Sequence, residues 1–253
     1  MDLIDKFDLN NKALSLRKEL GEDIISPIDI FSLTYTIPKL TLVFYPMGEH
    51  LSGMCIRIDG NAVIAINSYM SVGRQRFSMA HELYHLYYDH SKQSTVCAKK
   101  IGIGNDIEKA ADQFASYFIM PPVALSETIK KFQNNPENDL SIEEIVKLEQ
   151  YFGMSRQAIL YRLIDDNKLT TQQADLYRQS VISSAVNLGY DDVLYKPLPE
   201  NKQYKTYGYY IQQAEDVLKK GLVSNGKYEQ LLLTAFRFDL VYGDESEGGE
   251  LND

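Results

Sequence analysis

The run His81-Glu82-Leu83-Tyr84-His85 constrains the fold of this chain more than any other feature, because it lies in a stretch, Ser71 to His90, with no proline and no glycine after Gly73. Phe77, Ala80, Tyr84 and Tyr88 recur there at helical spacing, on a face that includes the histidines. The spacing predicts a helix. On an α-helix, residues four apart lie on one face with Cβ atoms about 5 to 6 Å apart, so His81 and His85 can each bring a ring nitrogen to one metal ion. Glu82 then leans beside that ion, within reach of a water, where a general base belongs.

A hydrolytic zinc site takes a third protein ligand and leaves one position open for water. An elongated HExxHxxGxxH pattern would need glycine at position 88 and histidine at 91, and the chain has Tyr88 and Ser91. His90, five residues past His85, falls about 140° round the helix from it and reads as a polar helix-end residue. A glutamate on a second helix fits better. Glu108 stands 23 residues after His85 (108 − 85), on a helix with Asn105 or Asp106 as its cap and Pro121-Pro122 at its end. Asp112, one turn further on, is placed to accept a hydrogen bond from the far nitrogen of a liganding histidine and fix its tautomer. Ala111 and Ala115 are small enough to let two helices approach closely.

Three linked segments carry a resemblance. Arg74-Gln-Arg-Phe-Ser-Met-Ala-His-Glu-Leu-Tyr-His85, then Glu108-x-x-Ala-Asp-x-Phe-Ala115, then Met120-Pro121 resemble the ImmA/IrrE family of bacterial, gluzincin-like zinc metallopeptidases. The resemblance implies that His81, His85 and Glu108 hold one Zn²⁺ and that Glu82 is the catalytic base. It also implies a protein substrate, a helix-turn-helix repressor of a phage, mobile-element or stress regulon. Tyr84 departs from the family's usual glycine, and Ser78 from its common threonine; neither is expected to touch a ligand, and Tyr84 is expected to bear on packing or access. The rival reading is a non-catalytic regulatory or antitoxin-type module that holds a repressor or toxin partner.

Charge and composition bear on partners and compartment. A net charge of −9 and a pI near 5.0 oppose binding to phosphate backbones, which takes its affinity from lysine and arginine. No direct nucleic-acid binding is expected. Leu140 to Leu163 tests this, since it reads as helix, glycine turn, helix with Ser155 capping the second. From Asp139 to Lys168, six acidic residues (Asp139, Glu143, Glu144, Glu149, Asp165, Asp166) face four basic ones (Lys147, Arg156, Arg162, Lys168). That pair is therefore read as structural or substrate-docking. No apolar run approaches the about 18 residues that a membrane span needs, and the acidic amino terminus lacks a signal-peptide layout, so the cytoplasm is expected. Cys55 falls in an expected strand and Cys97 in an expected loop; both are read as free thiols rather than ligands.

Leu40 to Tyr45 reads as a first strand, and Gly53 to Asp59 and Ala62 to Asn67 as two more, joined by a tight turn at Asp59-Gly60-Asn61. A strand of this hairpin beside the metal helix could dock an extended peptide. Helices are expected around Ala13 to Leu20, from Ser26-Pro27 through Leu33, over Thr170 to Leu188, and over Tyr207 to Lys220 and Gly226 to Phe238, with a break at Lys196-Pro-Leu-Pro199. His50 is read as a loop residue. The fold class expected is α+β, mainly helical, with a small antiparallel sheet packed on the HExxH helix in a zincin-like metallopeptidase core. The core is expected over 1–136, a helix-turn-helix-like region over 137–195, a helical carboxy-terminal region over 196–242, and an acidic disordered tail over 243–253.

Overall fold

In the computed structural model, which describes residues 5–89, 93–135 and 139–243, three aliphatic runs form the middle of one sheet: β1 (Leu40–Tyr45), β2 (Leu51–Ile58) and β3 (Asn61–Asn67). β4 (Ser94–Ala98) and β5 (Lys205–Gly208) close its two sides in the order β4-β2-β3-β1-β5. The β2–β3 hairpin turns where expected. Asp59 and Gly60 both take positive φ, 50° and 76°, the conformation that a two-residue turn with the right twist demands and that Asp-Gly tolerates. The expectation for His90 and, apart from Gly243, for the acidic tail lies outside the described residues.

The sheet is mixed rather than antiparallel. β3 pairs antiparallel with β2, but its other neighbour is β1, which runs parallel to it with Leu42 opposite Ile64. The segment after β1 carries the chain past that neighbouring position, so the hairpin returns with β3 innermost. Its residues explain the preference: Ile64 and Ile66 are wholly buried, and an unbroken aliphatic run suits a strand covered on both sides. β5, in a stretch read as purely helical, pairs antiparallel with β1. The four residues of β5 are too few for a periodic signal.

Helix α3, defined together with the helices before it as α1 (Lys6–Glu19), α2 (Ile30–Thr34) and α3 (Val72–Tyr87), carries the His-Glu-x-x-His run across the sheet. Phe77, Met79, Ala80 and Leu83 are wholly buried. α4 (Asp106–Ile119) starts where expected, with the Asn105 side chain accepting from the Glu108 N–H at 3.0 Å, and packs on α3 through the wholly buried Ala111 and Ala115. The buried Arg17 of α1 donates to Phe118 O at 2.7 Å, satisfying a carbonyl in the last turn of α4 that has no helical partner.

α5 (Pro122–Phe132) leads to α6 (Ile142–Phe152) and α7 (Arg156–Asp165), the helix pair expected from the sequence. Gly153 between them is left-handed at φ 63°, and the Ser155 side chain accepts from Ala158 N–H. α7 faces inward: Ala158, Ile159, Leu160 and Leu163 are wholly buried. Thr170 to Leu188 is two helices rather than one, α8 (Thr171–Tyr177) and α9 (Val181–Val186), because Ser180 adopts φ 53° and turns the chain. The remainder contains α10 (Glu200–Gln203), α11 (Tyr209–Lys219), α12 (Asn225–Thr234) and α13 (Phe238–Tyr242).

Candidate metal centre

The helical spacing of α3 brings His81 and His85 together as the sequence predicts. Their Nε2 atoms lie 3.2 Å apart, and Glu108 from α4 meets both, Oε2 at 3.4 Å from His81 Nε2 and Oε1 at 3.6 Å from His85 Nε2. These separations suit one ion. Ligands about 2.0 to 2.1 Å from a tetrahedral zinc stand roughly 3.3 Å from one another.

The opposite ring nitrogens are anchored. His81 Nδ1 donates to Asp112 Oδ1 at 2.8 Å, and the other oxygen of Asp112 accepts the Gly102 N–H at 2.6 Å. His85 Nδ1 donates to Asp89 Oδ2 at 3.1 Å. Both bonds keep a proton on Nδ1 and aim Nε2 at the shared centre, the arrangement that orients a liganding imidazole. Asp112 is where the sequence puts it. Asp89 was missed, although it follows His85 by four residues and so shares its face.

Glu82 is fully buried and neither carboxylate oxygen has a hydrogen-bond partner. An ionised carboxylate so placed is costly unless a cation or a water answers it, and burial pushes it up to about 7. The His81 charge and the Cys97 thiol pull it back down, while Glu108 and Asp112 add to the rise. The two imidazoles diverge. Burial opposes charge on His81, but Asp112 and Glu108 outweigh it and raise the pKa; His85 is pushed down by burial and by the charge on His81. Against its own partial burial, Glu108 is held below its ordinary value by His81 and His85. Four carboxylates, Glu82, Asp89, Glu108 and Asp112, thus gather around two imidazoles, an excess of negative charge that a dication neutralises. The donors present fit a divalent metal.

Two further residues shape this pocket, and both arrive from the sheet. Gly53 of β2 faces Glu82: a Cβ there would stand 2.8 Å from Glu82 Oε1 and 2.9 Å from Ala65 O. Cys97 lies in β4 rather than in a loop, wholly buried, with its sulfur among the ligand atoms of His81, His85 and Glu108; all four lie within 4.8 Å of one another. The β-branched pair Thr95-Val96 was the available signal for that strand. Cys55 is also buried, and both thiols are free. Tyr84 packs on Phe114 and Tyr88 and sets its ring edge-on to His85 at 5.9 Å, so it does touch a candidate ligand. His50 lies in the loop before β2, as expected, and its carbonyl accepts from Lys99 N–H at 2.9 Å.

Residues 39–164 match the family model described as IrrE N-terminal-like domain, peptidase M78. The match runs from the start of β1 through α7 and includes every residue named at the centre. Among curated proteins, none matches the chain.

Proposed function

Because this chain belongs to the IrrE N-terminal-like family of M78 peptidases, we propose that its metallopeptidase-type function is that of a zinc endopeptidase cutting a peptide bond in a partner protein. The reading rests on one observation above all. Two Nε2 atoms and a carboxylate converge at 3.2 to 3.6 Å, beside a second carboxylate, Glu82, that is buried and unpartnered. His81, His85 and Glu108 would hold the ion, and Asp112 and Asp89 would fix the two rings. When bound, a divalent ion supplies polarisation of the scissile carbonyl and of the attacking water. Glu82 takes the water proton and delivers it to the leaving amine. Its upward shift to about 7 suits a group that must both accept and release a proton near neutral pH. Glu108 keeps its negative charge towards the histidines. The sheet forms one wall of the site, with Gly53 against Glu82 and Cys97 beside the ligand atoms.

The substrate is an extended segment of a helix-turn-helix repressor. β4 pairs with β2 alone among the described strands, and a free strand edge can take a peptide by main-chain pairing. The edge that fits is thus β4, not the hairpin considered from the sequence. The partner is protein rather than nucleic acid: the net charge is −9, and the two arginines of α7 are turned inward, Arg156 to Glu149 and Arg162 to Asp166 and Met120 O. No helix of the described residues is long and apolar enough to cross a membrane, and we place the protein in the cytoplasm.

Zinc-loaded protein incubated with any helix-turn-helix repressor found to be encoded beside it is expected to give one defined cut, read by intact mass. Glu82→Gln should retain zinc and lose about 10² to 10⁴ in rate. Wild-type rates in that variant would remove Glu82 from the base role; no cut with any neighbouring repressor would favour the binding module.

A further inference from the structure

Cys97 is the one titratable group of the centre that hydrolysis does not need. Alternation along Ser94–Ala98 turns it inward as the only buried residue of its strand, with Val96 exposed on the opposite side. Its backbone is fixed from several directions. Cys97 pairs with Gly53, the Ser52 hydroxyl donates to Cys97 O at 3.3 Å and Ala98 O at 3.1 Å, and Arg74 donates to Lys99 O. The thiol is therefore held at the ligand cluster by paired sheet.

We propose that Cys97 is a fourth protein ligand, so that the resting protein holds its metal in a closed set of two histidines, one glutamate and one cysteine. The proposal rests on the metal-centre reading above and adds a regulatory state to it. Four-coordinate protein sets are the mark of structural zinc, whereas hydrolytic sites leave one position open. This centre has a closed set and also Glu82, which a structural site would not require. The two together describe a latent hydrolase, in which the thiolate must leave before a substrate carbonyl or a water can take its place.

Geometry and surroundings support ligation over simple filling. Metal–nitrogen and metal–sulfur distances of about 2.05 and 2.3 Å separate the two donors by roughly 3.6 Å in a tetrahedron. The four donor atoms already lie within 4.8 Å of one another, so a shift of about 1 Å suffices. The Cys97 sulfur lies against the Glu108 ligand oxygen and beside the Glu82 carboxylate. A buried apolar filler would leave those carboxylates worse solvated. On ligation the S–H bond breaks, its proton leaves to solvent, and the sulfur lone pair binds the metal; no electron is transferred. On opening, the thiolate regains a proton as the incoming oxygen replaces it.

The test loads wild-type protein, Cys97→Ala and Cys97→Ser with Co²⁺, and the wild type with Zn²⁺ for X-ray absorption. Expected are a near-ultraviolet thiolate-to-cobalt charge-transfer band in the wild type and a sulfur scatterer about 2.3 Å from zinc. Both variants should lose the band while keeping the visible cobalt bands and a native circular dichroism spectrum. A wild-type spectrum that holds cobalt through nitrogen and oxygen alone, unchanged by either substitution, overturns the thiolate and leaves the centre standing. Wild-type protein that takes up no cobalt overturns both.

Discussion

Asp112 does two jobs with two oxygens, one receiving His81 and the other the Gly102 N–H, so it ties a ring on α3 to the loop that leads into α4. Removing it should leave His81 free to turn. Asp112→Ala is expected to weaken metal binding about 10- to 100-fold, measured by competition with a chromogenic chelator; unchanged affinity would show that the ring is held by its packing alone. Gly53 acts on the neighbouring carboxylate through absence. In Gly53→Ala the new Cβ cannot keep 2.8 Å from Glu82 Oε1, and Ala65 O blocks retreat into the strand. Misplacement of a base by about 1 Å costs on the order of 10² in rate, so kcat should fall that far while metal affinity stays within about twofold. Equal losses in both would mean that the strand, not the carboxylate, has moved. Asp112 was legible in the sequence because helix spacing alone places it, and Asp89 was equally so, one turn past His85. Gly53 and Cys97 were not, since nothing local says which residues of β4 lie beside β2.

At the scale of elements, the α6–α7 pair, read from the sequence as structural or substrate-docking, shows what a legible pattern leaves out. Helix, glycine turn and serine cap were all visible in the letters. What the letters did not show is that Arg156 is buried and bonded to Glu149, with Tyr195 also donating to Glu149 at 2.8 Å. The partners of Arg156 lie in three other helices, Glu149 in α6, the Tyr177 carbonyl in α8 and the Ser184 hydroxyl in α9, and none of these contacts is visible from α7 alone. Glu149→Ala strands the Arg156 charge in the interior. It should cost about 3 to 5 kcal/mol, read as a lower denaturant midpoint, whereas replacing both partners by apolar residues of like volume should restore most of that. A loss below about 1 kcal/mol for the single variant would place water at the pair.

For the whole molecule, β5 is the element that sequence periodicity could not supply, because four residues carry too little pattern and their meaning lies in β1, far away in the chain. Without β5 the outer edge of β1 would stand open, and exposed strand edges recruit other chains. A protein ended after Lys196 is therefore expected to scatter light and to melt several degrees lower than the full chain; a monomeric product with unchanged melting would show the edge to be covered otherwise. The pairing of Thr41 with Gly208 spans 167 residues (208 − 41). At about 5 to 20 residues per second, a ribosome takes roughly 8 to 30 s to lay down that interval, against up to about 100 μs for the collapse of a segment of about 100 residues. The helices and strands of the metal centre are all made within that wait, so the newborn protein assembles its chemistry first and guards its flank last, a window in which a chaperone has time to act.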